Sequence, residues 1–150
     1  MLGANADCAV AVHGPVVVLL WRGKVVPEGA RWMRRGFLKA REQPGRLALL
    51  TIVEDGCEIR TPPEVRDEVS EMLRLYGSRL AGAAIVFEGR GFKATMVRSI
   101  ITAIYIASRA KVPNSVFGDV GTALQWLCRH DETLPDPAEL QRVVDEMRPQ

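Results

Sequence analysis

The sequence predicts an α/β domain in which a mixed sheet of about five strands is covered by four helices, with an additional C-terminal helix. Short apolar runs rich in valine, isoleucine and leucine alternate with longer segments whose apolar residues recur at helical spacing. The links between these segments are short, which is typical of strands and helices that follow each other in one sheet. The composition is 47% hydrophobic and 25% charged, as in ordinary globular domains.

The first part of the chain begins this alternation. Two valine-rich runs at 8–13 and 16–21, separated by Gly14-Pro15, predict an antiparallel pair or one bulged strand. Pro27 is placed to start a helix, since proline is favoured in the first turn, and the helix is predicted to end at 43–45. The predicted buried stripe of this helix consists of Ala30, Met33, Phe37 and Ala40.

The middle of the chain repeats the pattern. Continuous apolar runs at 47–53 and 80–87 predict strands buried on both faces. Between them, Thr61 is predicted to cap a helix, with Glu64 completing a capping box. A glycine-containing turn leads into the longest helix, about 92–110, which has a broad apolar set. That set comprises Met96, Val97, Ile100, Ile101, Ala103, Ile104 and Ala107.

The last part of the chain predicts a short strand at 115–117, a helix that starts at Asp119 and a final helix that starts at 135–137. We expect no second domain, because no linker or internal repeat divides the chain. The predicted division is a flexible tail at 1–7, a sheet domain at 8–130 and a C-terminal helix within 131–150.

Charge is concentrated in one segment. The net charge is +2, but residues 22–46 carry eight basic and two acidic side chains. A net charge of +2 supplies few contacts to phosphate groups, so we predict no nucleic-acid partner. The simpler interpretation is that these basic residues lie on a solvated helix face. The more specific interpretation is that they contact an acidic partner or a membrane surface. The predicted electrostatic contacts are Arg31, Arg34 and Arg35.

The cysteines and histidines predict neither a metal site nor a cofactor. Cys8, Cys57 and Cys128 show no repeating spacing, and no Cys-x-x-Cys motif is present. We therefore predict reduced thiols in a cytoplasmic protein, with Cys57 as an exposed loop thiol. The longest apolar runs are shorter than the ~20 residues that a membrane-spanning helix needs, so no membrane insertion is expected.

Two segments are candidates for chemistry. The turn that contains Arg90 precedes a helix and includes two glycines, so it could approach an anion together with Lys93, although it matches no phosphate-loop motif. A tight turn is the simpler interpretation. Glu54, Asp55 and Cys57 follow a predicted strand and are the residues on which an enzymatic alternative would depend. No catalytic motif surrounds either histidine, so we predict a non-enzymatic protein.

Apolar residues also point to an interface. The long helix carries Tyr105 and Ile106 in addition to its predicted core face, and Trp32 points away from Met33 on the first helix. Aromatic residues and methionine are enriched at protein interfaces. Coverage by a neighbouring helix is the alternative. We predict that Tyr105, Ile106 and Trp32 contact a protein partner and that the chain forms a homo-oligomer.

Three segments, 47–54, 84–92 and 97–102, together with the order of elements, resemble the bacterial STAS-like (anti-sigma-factor-antagonist-like) proteins of unassigned activity. The resemblance covers roughly residues 8–130 and implies a signalling or interaction domain. STAS antagonists carry a phosphorylatable serine before the helix that follows the third strand. The corresponding stretch, 54–62, has no serine, and Thr61 is the hydroxyl nearest that helix. Some relatives bind lipid in an apolar cavity.

The sequence thus predicts a non-enzymatic, cytoplasmic protein-interaction or signalling module that associates with itself. Thr61, Arg90 and Lys93 are the polar positions predicted to face a ligand or partner. The first alternative is a carrier of a small ligand or lipid, and the second is an enzyme of unknown reaction.

Overall fold

The computed structural model describes residues 1–148, in which five α-helices and six β-strands alternate over most of the chain. The strands are β1 (Gly3–Ala4), β2 (Cys8–His13), β3 (Val16–Trp21), β4 (Leu47–Val53), β5 (Leu80–Phe87) and β6 (Asn114–Phe117). The helices are α1 (Pro27–Ala40), α2 (Pro63–Tyr76), α3 (Phe92–Ser108), α4 (Val120–Arg129) and α5 (Pro137–Met147). The predicted mixed α/β sheet covered by helices is confirmed.

All six strands form one sheet whose strand order is the order of the chain. β1, β2 and β3 pair antiparallel, and β3 through β6 pair parallel. The β2–β3 turn pairs His13 with Val16 and places Gly14 at φ +56°, a backbone conformation that favours glycine. The two valine-rich runs are therefore an antiparallel hairpin rather than one bulged strand.

The helices form two layers, one on each face of the sheet. Alternate strand side chains point to opposite faces. Leu19 of β3 belongs to the core shared with α1, α2 and α3, whereas Leu20 belongs to the core shared with α4 and α5. Within the first layer, α2 packs against both α1 and α3. The central strands β4 and β5 are buried on both faces, as their continuous apolar sequences predict, whereas the edge strand β6 is partly exposed.

The two ends of the chain are more integrated than the sequence predicts. Residues 1–7, expected to be a flexible tail, include β1, which pairs with β2. The C-terminal helix α5 buries Leu140, Val144 and Met147 in the same core as α4 and the sheet. The last helix therefore shares a hydrophobic core with the sheet domain.

Candidate functional site

Acidic residues follow both β4 and β5 at the edge of the sheet where these two strands end. Arg148 lies between two of these acids. Its Nη1 is 2.5 Å from Glu54 Oε2, and its Nη2 is 2.8 Å from Glu88 Oε2. The three side chains are each about three-quarters buried. Glu54 is therefore engaged in an ion pair that joins the C-terminal end of α5 to the sheet.

Cys57 does not have the properties of a nucleophile. Its side chain is fully buried, so the predicted exposed loop thiol is wrong. Its Sγ donates a weak hydrogen bond to the Glu58 carbonyl at 3.5 Å. Burial raises the pKa of the Cys57 thiol to about 11, and the nearby Lys93 only partly opposes this. The thiol is therefore protonated at neutral pH.

Asp55 is an exposed residue in the turn after β4. Within residues 1–148, no group of three or more histidine, cysteine and acidic side chains is arranged to hold a metal ion. Glu54, Asp55 and Cys57 thus form a strand-end turn with an ion pair and a buried thiol.

The turn before α3 is held by local contacts. A Cβ on Gly89 would come within 2.4 Å of Phe87 Cζ, and Gly91 has φ +70°, so both positions require glycine. Arg90 is exposed. The Lys93 ammonium donates to the Cys57 carbonyl at 3.4 Å, which connects the start of α3 to the loop after β4. This turn has a structural role at the edge of the sheet.

Thr61 is not the cap of α2. The N-cap is Pro62, no side chain caps the helix, and the Thr61 hydroxyl donates to the Ile59 carbonyl at 3.0 Å. The predicted capping box is therefore wrong. A residue that precedes proline is disfavoured in the α conformation, so Pro62, which precedes Pro63, cannot be the first helical residue. The helix starts one residue later than the capping box requires.

The basic residues of α1 lie apart from this turn. Arg31 and Arg35 are exposed on α1. Arg34 forms an ion pair with Glu68 of α2. Since α2 lies between α1 and α3, the structure does not bring Arg31, Arg34 and Arg35 together with Arg90 and Lys93.

The three predicted interface residues have different environments. The Trp32 ring lies against β1, where a Cβ on Gly3 would come within 2.5 Å of it, and it is half-buried. Tyr105 is half-buried and packs against the core of the first layer. This burial raises the pKa of the Tyr105 hydroxyl above its ordinary value. Ile106 is 72% exposed.

The outward face of α3 carries large apolar side chains that are exposed. Phe92 is 78% exposed and Met96 is 41% exposed, and they share a face with Ile106. No charged residue lies among them. We define the α3 outer surface as Phe92, Thr95, Met96, Ser99, Thr102, Ala103, Ile106 and Ala107.

The other two helices of this layer differ from α3 in their exposed positions. On α1 the exposed positions include Arg31, Arg35 and Lys39. On α2 they include Glu64 and Asp67. A helix in contact with water ordinarily carries such charges on its outward side. The α3 outer surface is therefore an exposed helix face without the usual solvating charges.

The sequence located this surface only in part. The spacing predicts that Met96, Ala103 and Ala107 are buried and that Tyr105 lies on the opposite side of the helix. The structure buries Val97, Ile104 and Ser108, and it exposes Met96, Ala103 and Ala107. A helix that is apolar nearly all round has no strong periodic signal, so its orientation cannot be obtained from spacing. The absence of acidic residues from 89 to 118 was the available signal.

An apolar cavity that is partly open to solvent lies on the opposite, inward side of α3. Its volume is about 80 Å³. The inner side of α3 contributes Val97, Ile100, Ile101 and Ile104. The remaining lining residues come from the sheet, α1, α2 and the loops, and they are Leu19, Trp21, Val25, Met33, Thr51, Val53, Ile59, Thr61, Val65 and Val69.

Comparisons with known proteins do not identify a family. No protein-family model matches the chain, and no curated protein or solved structure shows significant similarity to it. The resemblance to STAS-like proteins therefore stays a prediction from sequence motifs. Among residues 1–148, no helix combines the length and the apolar character needed to cross a bilayer.

Proposed function

We propose that this chain is a non-enzymatic protein-interaction module that associates with a second copy of itself through the α3 outer surface. The observation that carries the proposal is the exposure of Phe92, Met96 and Ile106 on a helix face without charge. Exposed apolar residues that lie together on one face are typical of protein interfaces.

A second copy is the partner that best fits an uncharged surface. In a two-fold symmetric interface, the same surface meets itself, so every charge near the axis encounters a like charge. The α3 outer surface avoids that repulsion, and its basic neighbours Lys93 and Arg98 lie on the flanks. Ser99, Ala103 and Ala107 are small and four residues apart, which would let two helices approach closely.

We also propose that this module acts in signalling in the cytoplasm. The resemblance to STAS-like proteins supports a signalling module, in which assembly or partner exchange would be the output. The three free cysteines support a reducing, cytoplasmic environment. The ion pair at Glu54 and the protonated Cys57 thiol favour an interaction module over the enzymatic alternative.

The test is the mass of the protein in solution over a range of concentrations, measured by sedimentation velocity. We expect the wild type to form a dimer as its concentration rises. Ile106→Glu should remain monomeric, because a carboxylate would be desolvated in the interface. Leu75→Glu is the matched control, since Leu75 is an exposed apolar residue of α2 outside the α3 outer surface.

Two results would contradict the proposal. A wild type that stays monomeric at every concentration would exclude self-association. A dimer that persists in Ile106→Glu but dissociates in Leu75→Glu would place the interface on α2 instead. Circular dichroism of each variant shows whether a loss of the dimer reflects a loss of the fold.

A further inference from the structure

The cavity beneath α3 has polar groups in its lining, unlike a packing defect in a purely apolar core. Its lining is apolar except for two threonines, Thr51 and Thr61. Thr51 is the only polar residue of β4 and the only one that is not fully buried. Among residues 1–148, no side chain or carbonyl forms a hydrogen bond with its hydroxyl. A hydroxyl group thus lies in the wall of an otherwise apolar space, in the middle of a central strand.

The two threonine hydroxyls in the wall of the cavity can form a small number of hydrogen bonds. A threonine hydroxyl provides one donor and two acceptor sites. The Thr61 hydroxyl uses its donor on the Ile59 carbonyl and keeps its acceptor sites. Thr51 keeps both functions. A bound molecule with one oxygen atom could therefore form a hydrogen bond with Thr51 while its remaining atoms contact aliphatic side chains.

Volume and charge limit the class of molecule. An engineered cavity of about 150 Å³ lined by aliphatic and aromatic residues binds benzene, which has six non-hydrogen atoms, so about 80 Å³ corresponds to roughly three non-hydrogen atoms. A two-chain lipid is far larger than this space. No charged side chain lines the cavity, so a carboxylate or an ammonium group would be desolvated without a counter-ion.

We infer that the cavity between α3, α2 and the sheet is a binding site for a small, uncharged aliphatic molecule that carries one hydrogen-bonding oxygen, such as a short-chain alcohol. The aliphatic part contacts Val97, Ile101 and Ile104, and the oxygen atom contacts Thr51. This site lies on the inward side of α3 and is independent of association through its outer surface.

The probe is 1-butanol, an uncharged short-chain alcohol whose last carbon atoms can extend through the open side of the cavity. Titration into the isotope-labelled full chain, followed by methyl NMR, should give saturable shifts at Thr51, Val97 and Ile104. A ligand of this size binds with a Kd on the order of millimolar. Butyrate, which is similar in size but charged, should give no saturable shifts at these methyl groups.

Three variants test the location. Ile101→Trp should fill the cavity and abolish the saturable shifts. Arg98→Trp is its matched control, because it adds the same side chain to an exposed position of α3 that lies outside the α3 outer surface, and binding should be retained. Thr51→Val keeps the shape but removes the hydroxyl, and it should weaken 1-butanol binding about 5-fold to 10-fold, the usual effect of one hydrogen bond.

The results also include outcomes that would overturn the inference. Shifts that increase linearly with 1-butanol, or that persist in Ile101→Trp, would show solvent effects rather than a site. Equal affinity in Thr51→Val and the wild type would remove Thr51 from the site. If Ile101→Trp fails to fold, xenon under pressure serves as the second probe. Xenon should shift the same cavity methyl groups in the wild type, and no shift there would overturn the site.

Discussion

The two helical layers of this protein differ in how they are fixed to the sheet. The layer formed by α4 and α5 begins each helix with an aspartate cap, in which Asp119 accepts from the Thr122 amide and Asp136 from the Ala138 amide. In the layer formed by α1, α2 and α3, no side chain of the described residues caps a helix. The cavity and the three exposed apolar residues of α3 belong to this layer, which is the first layer described above.

Long-range polar contacts strengthen the difference. His13 Nε2 lies 2.8 Å from Glu139 Oε2 of α5, and the Arg22 guanidinium donates to the Met147 carbonyl at 2.9 Å. Together with Arg148, these contacts fix α5 to both ends of the central strands. Among residues 1–148, the long-range polar contacts of α3 are the weak Lys93 contact at its start and a serine contact from α2 to the Ile104 carbonyl at 3.4 Å. Binding surfaces are commonly found in the less constrained part of a fold.

The largest test of this comparison is truncation of one core residue in each layer. Leu124→Ala in α4 should lower the free energy of unfolding by about 3 kcal/mol, because it leaves a cavity in a tightly packed core. Ile101→Ala in α3 should cost about 1 kcal/mol, since Ile101 already borders an empty space. Urea unfolding measures both, and equal losses would show that the layers are equally well packed.

Removal of Arg148 tests the polar fixation of α5. Arg148→Met should lower the free energy of unfolding by about 2 kcal/mol, because it leaves two partly buried carboxylates near each other. Arg142→Met, at an exposed position of the same helix, is the control and should have little effect. Adding Glu54→Gln and Glu88→Gln to Arg148→Met should recover stability. No recovery would contradict this account of the ion pair.

The pH dependence of stability tests the core beneath the first layer. Burial raises the pKa of the Cys57 thiol from 9.0 to about 11. The unfolded chain therefore loses this proton first as the pH rises, and the stabilisation is lost between about pH 9 and pH 11. At about pH 10 the loss should be about 1.4 kcal/mol. Cys57→Ala should lose correspondingly less stability than the wild type over this range, and identical pH profiles would contradict the burial.

The smallest expected effect is the difference in stability loss between a variant of Asp136, which caps α5, and a variant of Thr61, which the sequence predicted as a cap. Asp136→Ala should lower the free energy of unfolding by about 1 kcal/mol, because the Ala138 amide loses its acceptor. Thr61→Ala should have a smaller effect, since Thr61 caps no helix amide. Thermal unfolding of the two variants measures the difference. A larger loss in Thr61→Ala would contradict the observed start of α2.

The sequence predicted most elements because their signals are local. The strands at 8–13, 16–21, 47–53 and 80–87 have the predicted bounds, since continuous apolar runs between turn residues leave little choice of structure. The helix starts at Pro27 and Asp119 were confirmed for the same reason. β1 was missed because a two-residue strand has no periodic pattern.

The candidate sites could not be obtained in this way, because they depend on residues that are distant in the sequence. Glu54 is paired with a residue 94 positions later. Cys57 lies in a polar loop segment, and only the packing of that loop against the core of the first layer makes it buried.

The sequence by itself determined the class of fold, the order of the elements and the apolar character of α3, since these depend on local periodicity and turn chemistry. Only the tertiary structure decided which side of α3 faces outward and where an empty space remains beneath it. An apolar helix can present several of its faces to its neighbours, and the packing of α3 against α2 and the core of the first layer selects one of them.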